Sequence, residues 1–548
     1  MTVSAALRRR VTDWISDDPD EQSQAELRGL LDAAGDHEEA ATELADRFAG
    51  RLEFGTAGLR GQIAAGPNRM NRAVVIRAAA GLAAYLKDTG ALGTVVVGYD
   101  ARHYSDVFAR DTAAVVTAAG LDAVVLPRPL PTPLLAFAIR HLGCAAGVMV
   151  TASHNPPRDN GYKVYLGDGS QIIPPADAEI AERIDAVGSV RDVPRADGWQ
   201  VLGEDVVDAY VEAVAALLPP GSPRDLSIVY TPLHGVGAAV AEAVLTRSGF
   251  DPPAIVPEQA APDPDFPTVA FPNPEEPGAM DLATALAQRQ GADVVIANDP
   301  DADRCAIAVP TLHGWRTLRG DEVGVLLADH LLRSGVVGVY ATTIVSSSLL
   351  GRMASAHGVG YAETLTGFKW IGRVEGLRFG YEEALGYCVA PHLVRDKDGL
   401  SALLRVAELA AELKAQGRTL LDRLDDIARE YGVYATDQVS ARVHDRSLIE
   451  SAMHRLRSSP PKQLGGFAVN GVDDLSEGGR GLPPTEGLRY QLAEGGRVVV
   501  RPSGTEPKIK CYLEVVVGVD TGDVAAARIS AAGRLDAIRS DLVAAAGL

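Results

Sequence analysis

The sequence predicts an α/β protein with three similar mixed-sheet domains and a smaller C-terminal α+β domain around a central cleft. The chain has 548 residues, which is too long for one hydrophobic core. Three times along it, apolar runs alternate between helical and strand patterns, which predicts crossover connections and mostly parallel strands. Each third strand stops at a cluster of polar residues. Because ligands bind beyond the carboxyl ends of strands in open α/β sheets, we expect the three clusters to face one cleft.

The first domain is predicted to span residues 51–205. Its apolar runs predict, in order, helix 71–87, strand 94–97, helix 105–119, strand 122–126, a short helix from Pro133 and strand 145–150. That last strand leads into the segment Thr-Ala-Ser-His-Asn-Pro at 151–156. Residues 1–50 are predicted to be an amphipathic helical extension that packs against the body of the protein.

The second domain (206–319) and the third (320–432) repeat this pattern. The second is predicted to contain helix 206–218, strand 226–230 and strand 293–297, which ends at Asn-Asp-Pro-Asp-Ala-Asp-Arg, residues 298–304. The third begins with helix 321–333 and finishes at Gly-Tyr-Glu-Glu-Ala-Leu-Gly, residues 380–386. The tail (433–548) predicts the smaller domain, with helix 446–457 and strands near 488–492, 498–500 and 508–517. The stretches 188–203 and 459–487 are interpreted as linkers.

Composition excludes some classes of partner. The formal net charge is −20, which disfavours nucleic acid and anionic membranes because both need a basic face. An anionic small substrate is compatible with this charge where cationic residues gather locally. The cysteines are scattered without pairing or metal-type spacing, and no run of 18 apolar residues occurs. We therefore expect a soluble cytoplasmic protein.

Three aspartates stand at alternating positions directly after the third strand of the second domain. Asp299, Asp301 and Asp303 can converge from an extended loop on one hard cation, because Pro300 blocks a helix there. Mg²⁺ prefers a few carboxylates together with phosphate oxygens. A solvated acidic turn is the alternative without a ligand. An aspartyl-phosphate enzyme, with Asp299 as nucleophile and Asp301 as acid/base, is the competing catalytic interpretation.

Ser153 stands at the junction of a strand and a turn, so its hydroxyl is expected to project into the cleft and can carry a phosphoryl group. A serine that only caps the turn is the alternative. A hydrolase nucleophile elbow is disfavoured, since Thr151 and Asn155 stand where glycines are required. His154 is expected to point away from Ser153, as neighbours in an extended backbone do, and has no assigned role. Lys163 is the better cationic partner.

Three further segments carry groups suited to phosphate or sugar. In Phe-Gly-Thr-Ala-Gly-Leu-Arg-Gly at 54–61, glycines allow close backbone approach and Arg60 offers a rigid fork of donors. In Arg-Pro-Ser-Gly-Thr-Glu-Pro at 501–507, a guanidinium, two hydroxyls and exposed amides form a candidate phosphate cradle. Glu382 and Glu383 offer acceptors for vicinal sugar hydroxyls. Each segment has an alternative without a ligand. The segment 54–61 could be an ordinary glycine-rich turn, 501–507 a loop between strands, and the Glu382–Glu383 pair part of a solvated acidic loop.

Together these segments resemble the signature set of the α-D-phosphohexomutase superfamily, the phosphoglucomutase/phosphomannomutase enzymes. The matching segments are Phe-Gly-Thr-Ala-Gly-Leu-Arg (54–60), Thr-Ala-Ser-His-Asn-Pro (151–156), Asp-Pro-Asp-Ala-Asp-Arg (299–304), Gly-Tyr-Glu-Glu-Ala (380–384) and Arg-Pro-Ser-Gly-Thr (501–505). They occur in the family's order. The resemblance implies four domains around a central cleft, in agreement with the pattern of apolar runs.

The resemblance also implies site residues. Ser153 matches the phosphoserine, and Arg60 and Lys163 match positions near the transferring phosphoryl group, with Lys163 as a proton shuttle. One Mg²⁺ per active site is held by the serine phosphate together with Asp299, Asp301 and Asp303. The residues matched to substrate binding are Glu382 and Ala384 for sugar hydroxyls, Thr366, Gly367 and Lys369 for sugar orientation, and Arg501, Ser503, Gly504 and Thr505 for the substrate phosphate. Asp100 and Arg102 match a further cleft motif without an assigned role.

The implied reaction interconverts hexose 1-phosphate and hexose 6-phosphate, of glucose or mannose, through a phosphoserine and a bisphosphorylated sugar. A sugar bisphosphate would prime the enzyme. Many members carry serine where Ala384 stands. Two segments of this sequence, Glu-Glu-Ala at 382–384 and Asp-Lys-Asp-Gly at 396–399, look more like the branch with phosphopentomutase-type and glucose-1,6-bisphosphate-related members. Those activities are the alternatives, followed by a non-catalytic sugar-phosphate sensor. The expected partners are small-molecule sugar phosphates, without nucleic acid or membrane, for a monomer or homodimer.

Overall fold

The structure is a computed structural model that describes residues 3–547 except 54–57, 443–445, 480, 503–507 and 520–521. Contacts divide the chain into two compact units. The first unit is Met1–Thr317 with Ala390–Glu408, and the second unit is Leu318–Val389 with Leu409–Leu548. Within the described ranges, the helices all lack the combination of length and apolar character that crossing a bilayer demands.

The N-terminal extension is helical, as predicted. Its helices are α1 (Ala5–Asp17), α2 (Glu21–Ala33) and α3 (Glu38–Arg47). Their apolar faces meet at a buried cluster that includes Val11, Leu27 and Leu44. Trp14 packs against the core of the sheet that follows, which confirms the predicted docking of this extension on the body of the first unit.

The first sheet contains the predicted parallel strands and a hairpin added to them. Its elements are β1 (Leu59–Gln62), α4 (Arg72–Asp88), β2 (Thr94–Tyr99), α5 (Ser105–Ala118), β3 (Asp122–Val125), α6 (Thr132–His141), β4 (Ala146–Val150), β5 (Asp159–Leu166), α7 (Ala176–Asp185) and β6 (Gln200–Val201). The strand order is β1-β5-β4-β2-β3-β6. Strand β5 runs antiparallel to β4, whereas β4, β2, β3 and β6 are parallel. The predicted linker 188–203 thus contributes an edge strand, β6.

The second sheet repeats this arrangement within the first unit. Its elements are α8 (Asp205–Ala215), β7 (Ile228–Thr231), α9 (Ala238–Arg247), β8 (Ala254–Ile255), α10 (Asp281–Gln290), β9 (Val294–Ala297), β10 (Ala306–Thr311) and β11 (Gly314–Thr317). The order is β11-β10-β9-β7-β8, with β10 antiparallel to β9. Strand β9 is buried along its whole length, which explains its continuous apolar run.

The third sheet belongs to the second unit. Its elements are α11 (Gly320–Arg333), β12 (Val339–Thr343), α12 (Leu349–Ala356), β13 (Gly360–Thr364), α13 (Phe368–Ile371), β14 (Leu377–Glu382) and β15 (Gly386–Cys388). Helices α14 (Gly399–Ala415) and α15 (Leu420–Tyr431) follow in the chain. The order β13-β12-β14-β15 again places the third strand beside the first and ends in an antiparallel hairpin. The three sheets therefore share one topology, and the prediction of three similar mixed-sheet α/β domains is confirmed.

The tail forms an antiparallel sheet with helices against it. Its elements are β16 (Val433–Arg442), α16 (Arg446–Ser458), β17 (Gln463–Leu464), β18 (Phe467–Asp474), β19 (Leu488–Leu492), β20 (Arg497–Pro502), β21 (Lys508–Val517) and α17 (Val524–Ala546). The order is β16-β21-β20-β19-β18-β17. The interpretation of 459–487 as a linker is wrong, because this stretch contains β17 and β18. Asn470, Gly471 and two aspartates interrupt the apolar run of β18, and none of its residues is fully buried, so its sequence resembles a polar loop.

Candidate active site

The turn after β4 gives Ser153 an unusual backbone conformation. Its φ is +52°, in the left-handed region that costs a residue with a side chain about 1–3 kcal/mol. The backbone N–H of Ser153 donates to the Thr151 hydroxyl at 2.8 Å, which helps to hold this turn. The Ser153 hydroxyl is buried and donates to Asp299 Oδ2 at 2.7 Å. Arg304 Nη1 donates back to Ser153 Oγ at 2.8 Å. The turn after β4 and the loop after β9 thus meet at the serine oxygen.

The acidic loop after β9 is buried together with cations. Asp299, Asp301 and Asp303 have no exposed surface, and each offers an oxygen within 4.8 Å of the others. Carboxylates buried this way are costly unless they are paired. Lys163 Nζ lies 2.8 Å from Asp301 Oδ2 and 3.1 Å from Asp303 Oδ2. Arg304 Nη1 lies 3.1 Å from Asp299 Oδ2 and 3.2 Å from Asp303 Oδ1.

Lys397 is a further cation at this cluster, and sequence reasoning missed it. Its ammonium lies 3.2 Å from Asp303 Oδ2. The Asp-Lys-Asp-Gly segment at 396–399 forms a turn into α14, in which Asp398 Oδ1 accepts from Ser401 N at 3.1 Å. Asp396 accepts hydrogen bonds from Tyr165 at 2.9 Å and Gln171 at 2.7 Å, which fix the loop that carries Lys397. The signal in the sequence that could have identified Lys397 is its position between two aspartates in the Asp-Lys-Asp-Gly segment.

These cations set the ionisation of the cluster. Burial and Asp301 raise the pKa of Asp303, but Lys163, Lys397 and Arg304 outweigh them, so its pKa lies below the ordinary value. Burial lowers the pKa of Lys163, yet the carboxylates of Asp301 and Asp303 raise it above the ordinary value. The pairing therefore keeps Asp303 anionic and Lys163 cationic.

The donor set fits Mg²⁺. Among the described residues, Asp301 Oδ1 is a buried oxygen without a hydrogen-bond partner, although Asp301 Oδ2 accepts from Thr132 Oγ1 at 2.7 Å. A buried carboxylate oxygen normally has a partner, and a hard divalent cation supplies one. Asp299, Asp301 and Asp303 are the residues that would hold the ion.

The expectation for His154 is wrong. Its Nδ1 lies 3.4 Å from Ser153 Oγ and 3.8 Å from Asp299 Oδ2, because the left-handed turn at Ser153 replaces the extended backbone that would separate the two side chains. Burial, helped by the charges of Arg304 and Arg60, holds the pKa of His154 well below its usual range, so the imidazole is neutral. Arg60 Nη1 donates to Asn155 Oδ1 at 3.0 Å, which brings Arg60 to the same turn.

The residues matched to substrate binding belong to the second unit. Glu382 ends β14, and Ala384 lies in the turn to β15. Glu383 accepts from the Ser346 hydroxyl at 2.9 Å. Arg501, on β20, donates to the hydroxyl of Thr366, so two predicted residues are in contact.

The next residues complete this group as far as the structure describes it. Gly367 has φ +104°, which a glycine adopts without strain, and Lys369 Nζ lies over the Trp370 ring at 5.7 Å. Ser503, Gly504 and Thr505 lie outside the described residues, as do residues 54–57 of the glycine-rich motif.

Family models for phosphoglucomutase/phosphomannomutase match successive parts of the chain: α/β/α domain I at 51–191, domain II at 208–314, domain III at 319–431 and the C-terminal domain at 454–530. A Haemophilus influenzae protein named "Probable phosphomannomutase" is 49% identical over 453 residues, which cover 81% of this chain and 93% of that protein. The chain belongs to the phosphoglucomutase/phosphomannomutase family.

Other members of the phosphoglucomutase/phosphomannomutase family extend the comparison. A Schizosaccharomyces pombe protein named "Probable phosphoribomutase" is 38% identical over 92% of this chain and 93% of its own length. The crystal structure of a phosphoglucomutase/phosphomannomutase family protein from Burkholderia thailandensis has the same fold, with a TM-score of 0.69, 21% identity and coverage of 90% of this chain and 98% of that one. This protein is accordingly a phosphomutase, an isomerase of carbohydrate metabolism from an Mg²⁺-dependent family.

The ionisation of Glu383 gives a testable prediction. Burial, with Glu382 and Asp321 nearby, raises the pKa of Glu383 from 4.5 to about 7. Between these two values the folded protein binds more protons than the unfolded chain, so this carboxyl lowers stability progressively as pH rises from 4.5 to 7. We expect Glu383→Gln to remove an effect of about 1–3 kcal/mol.

The measurement is the melting temperature of both proteins across this pH range. The difference between Glu383→Gln and wild type should grow with pH and level off above 7. Glu450→Gln, at an exposed position of α16, is the matched control and should follow the wild-type profile. A difference that stays constant with pH would contradict the assigned ionisation.

Proposed function

We propose that this protein interconverts hexose 1-phosphate and hexose 6-phosphate, of glucose or mannose, with Ser153 as the phosphoryl carrier. The observation that carries this proposal is the position of Ser153 Oγ, 2.7 Å from Asp299 Oδ2 and 2.8 Å from Arg304 Nη1. The Ser153 hydroxyl is buried against the acidic loop whose carboxylates fit Mg²⁺. Such a hydroxyl can hold a phosphoryl group where charge is already compensated.

In the proposed mechanism, the free hydroxyl of the substrate attacks the phosphorus of phosphoserine 153. The new oxygen–phosphorus bond forms as the bond to Ser153 Oγ breaks. Lys163, our candidate proton shuttle, starts in the cationic form, so it gives a proton to the departing Ser153 Oγ as it takes the proton of the attacking hydroxyl. Arg304 and Arg60 offer N–H groups to the phosphoryl oxygens. When bound, Mg²⁺ supplies charge compensation for the transferring group. The bisphosphorylated sugar then turns end for end and returns its other phosphate to Ser153.

The anchors of this cycle are proposed to come from the second unit. Glu382 is proposed to accept hydrogen bonds from sugar hydroxyls, and Arg501, with Ser503, Gly504 and Thr505, to hold the phosphate that is not reacting. Thr366 supports this assignment because its hydroxyl contacts the Arg501 guanidinium. A sugar bisphosphate is proposed to prime the enzyme by phosphorylating Ser153.

The contacts of Asp299 speak against the aspartyl-phosphate alternative. Asp299 Oδ1 accepts from Arg304 N at 3.0 Å, and Oδ2 accepts from both Ser153 Oγ and Arg304 Nη1. Asp299 thus acts as an acceptor that holds Ser153 and Arg304 in place, which supports Ser153 rather than Asp299 as the carrier. A sensor without catalysis does not account for a buried serine at this position.

A pentose phosphate is the second candidate substrate. It is favoured by the 38% identity with the fission-yeast protein named "Probable phosphoribomutase". The alanine at 384, which lacks the hydroxyl that many members offer to the sugar, points in the same direction.

Comparison of kcat/KM for glucose 1-phosphate, mannose 1-phosphate and ribose 1-phosphate decides between the two candidates. We expect a hexose phosphate to have the higher kcat/KM, by at least about tenfold, because a site that hydrogen-bonds a substrate hydroxyl discriminates against a sugar that lacks it. A preference of the same size for ribose 1-phosphate would assign a phosphopentomutase instead.

Ser153→Ala should lower kcat by at least about a thousandfold, because it removes the oxygen proposed to carry the phosphoryl group through both half-reactions. Binding of hexose 6-phosphate, measured by calorimetry, should survive because its anchors are untouched. Ser248→Ala, at the end of α9, is the control and should keep wild-type turnover. Mutase activity retained in Ser153→Ala would refute the assignment of the carrier.

Arg501→Ala should raise KM for the sugar phosphate about tenfold or more with a smaller change in kcat, because it removes a charge-assisted contact to the phosphate that does not react. Arg457→Ala, which removes a surface arginine paired with Asp474 at 2.6 Å in the same domain, should leave KM unchanged. Equal KM values for Arg501→Ala and wild type would count against the phosphate cradle.

A further inference from the structure

The proposed mechanism does not use Arg102, although this arginine donates four hydrogen bonds to the Ser153 turn. Its side chain is buried and its guanidinium donates to backbone carbonyls on both sides of the turn. Nη2 donates to Ser153 O and Asn155 O, both at 2.6 Å. Nη1 donates to Pro156 O at 2.8 Å and Asp159 O at 3.1 Å. One guanidinium therefore joins the start, middle and end of this loop.

The guanidinium is itself held in place from two sides. Asp100 Oδ1 accepts from Arg102 N at 3.0 Å and from Ser105 Oγ at 2.6 Å, while Asp100 Oδ2 lies 3.5 Å from Arg102 Nε. On the other side, the ring of Phe266 lies 4.9 Å from Arg102 Cζ. Phe266 is buried and comes from the segment between β8 and α10, so the second sheet's domain supports the turn of the first.

The Ser153 turn needs such a support. Ser153 adopts φ +52°, and a strained conformation of this kind persists only where the surroundings over-determine it. Carbonyl oxygens that converge in a buried turn also require donors, since each is costly when left without one. The planar fork of an arginine can serve four of them at fixed angles, which the ammonium of a lysine cannot do.

We propose that Arg102 is a positioning residue, whose guanidinium holds the carbonyls of Ser153, Asn155, Pro156 and Asp159 and thereby fixes Ser153 Oγ against Asp299. Asp100 and Phe266 orient the guanidinium. Arg102 acts through the backbone of the turn and does not touch the phosphoryl group. This inference rests on the proposed function, since it assigns to Arg102 the geometry of the proposed carrier.

The test compares Arg102→Lys with Arg77→Lys. Arg77 is a matched control, because it is also a buried arginine of the first unit, donates to Val187 O at 2.6 Å and pairs with Asp17 at 3.1 Å. We expect Arg102→Lys to lower kcat about a hundredfold with KM for glucose 1-phosphate within about twofold of wild type, as small displacements of reacting groups do. Arg77→Lys should lower the melting temperature and keep kcat.

A second readout is independent of turnover. Hydrogen–deuterium exchange of the peptide covering 151–160 should become faster in Arg102→Lys and stay unchanged in Arg77→Lys. Should Arg102→Lys fail to fold, Phe266→Leu keeps the apolar packing and removes the ring face. It should lower kcat about tenfold at unchanged KM and also speed exchange in this peptide.

Wild-type kcat and wild-type exchange in Arg102→Lys, or in Phe266→Leu where that variant is used, would overturn the proposal. The Ser153→Ala variant separates this failure from a failure of the proposed function. If Ser153→Ala keeps mutase activity, the carrier assignment and with it the positioning role of Arg102 are wrong. If Ser153→Ala is inactive while Arg102→Lys keeps both wild-type kcat and wild-type exchange, only the role of Arg102 is wrong.

Discussion

The site of the first unit depends on the mutual neutralisation of three buried aspartates and the cations around them. Asp299, Asp301 and Asp303 would repel one another in a loop shielded from water. Lys163 and Lys397 reach them from outside the loop, at distances of 2.8–3.2 Å to a carboxylate oxygen. This balance lets the loop stay buried, and it leaves Ser153 Oγ in contact with a carboxylate whose charge is already compensated. A phosphoryl group carried there would meet cations and a metal site together.

The repeated topology delivers these groups to one place. In each of the three α/β sheets the third parallel strand of the repeat (β4, β9 or β14) lies beside the first (β2, β7 or β12) and is followed by an antiparallel hairpin strand. Strand β4 leads to Ser153, and β9 leads to the acidic loop. The hairpin strand β5 carries Lys163 opposite Met149 of β4 in the ladder, so its ammonium reaches the aspartates from the neighbouring strand. The equivalent third strand of the second unit, β14, ends at Glu382. The order of the strands therefore determines which polar residues stand at the end of each of these strands.

Much of this could be predicted from the sequence, because buried strands and amphipathic helices leave strong periodic patterns. The strand predicted at 508–517 coincides with β21, and the helix predicted at 71–87 differs from α4 by one residue at each end. Strand β18 does not stand out in the sequence, because Asn470, Gly471 and two aspartates interrupt its apolar run. The contact of His154 with Ser153 depends on the left-handed φ of Ser153, and a serine at this position does not predict such a conformation. Lys397 joins the aspartates only through tertiary packing, which spacing along the chain does not encode.

The most direct test of this account is mass spectrometry of the peptide that contains Ser153, after incubation of the purified protein with glucose 1,6-bisphosphate and Mg²⁺. The account predicts one added phosphoryl group on Ser153, stable to hydroxylamine and discharged when hexose 1-phosphate is added. A peptide that stays unmodified, or a hydroxylamine-labile phosphoryl group on Asp299, would contradict it.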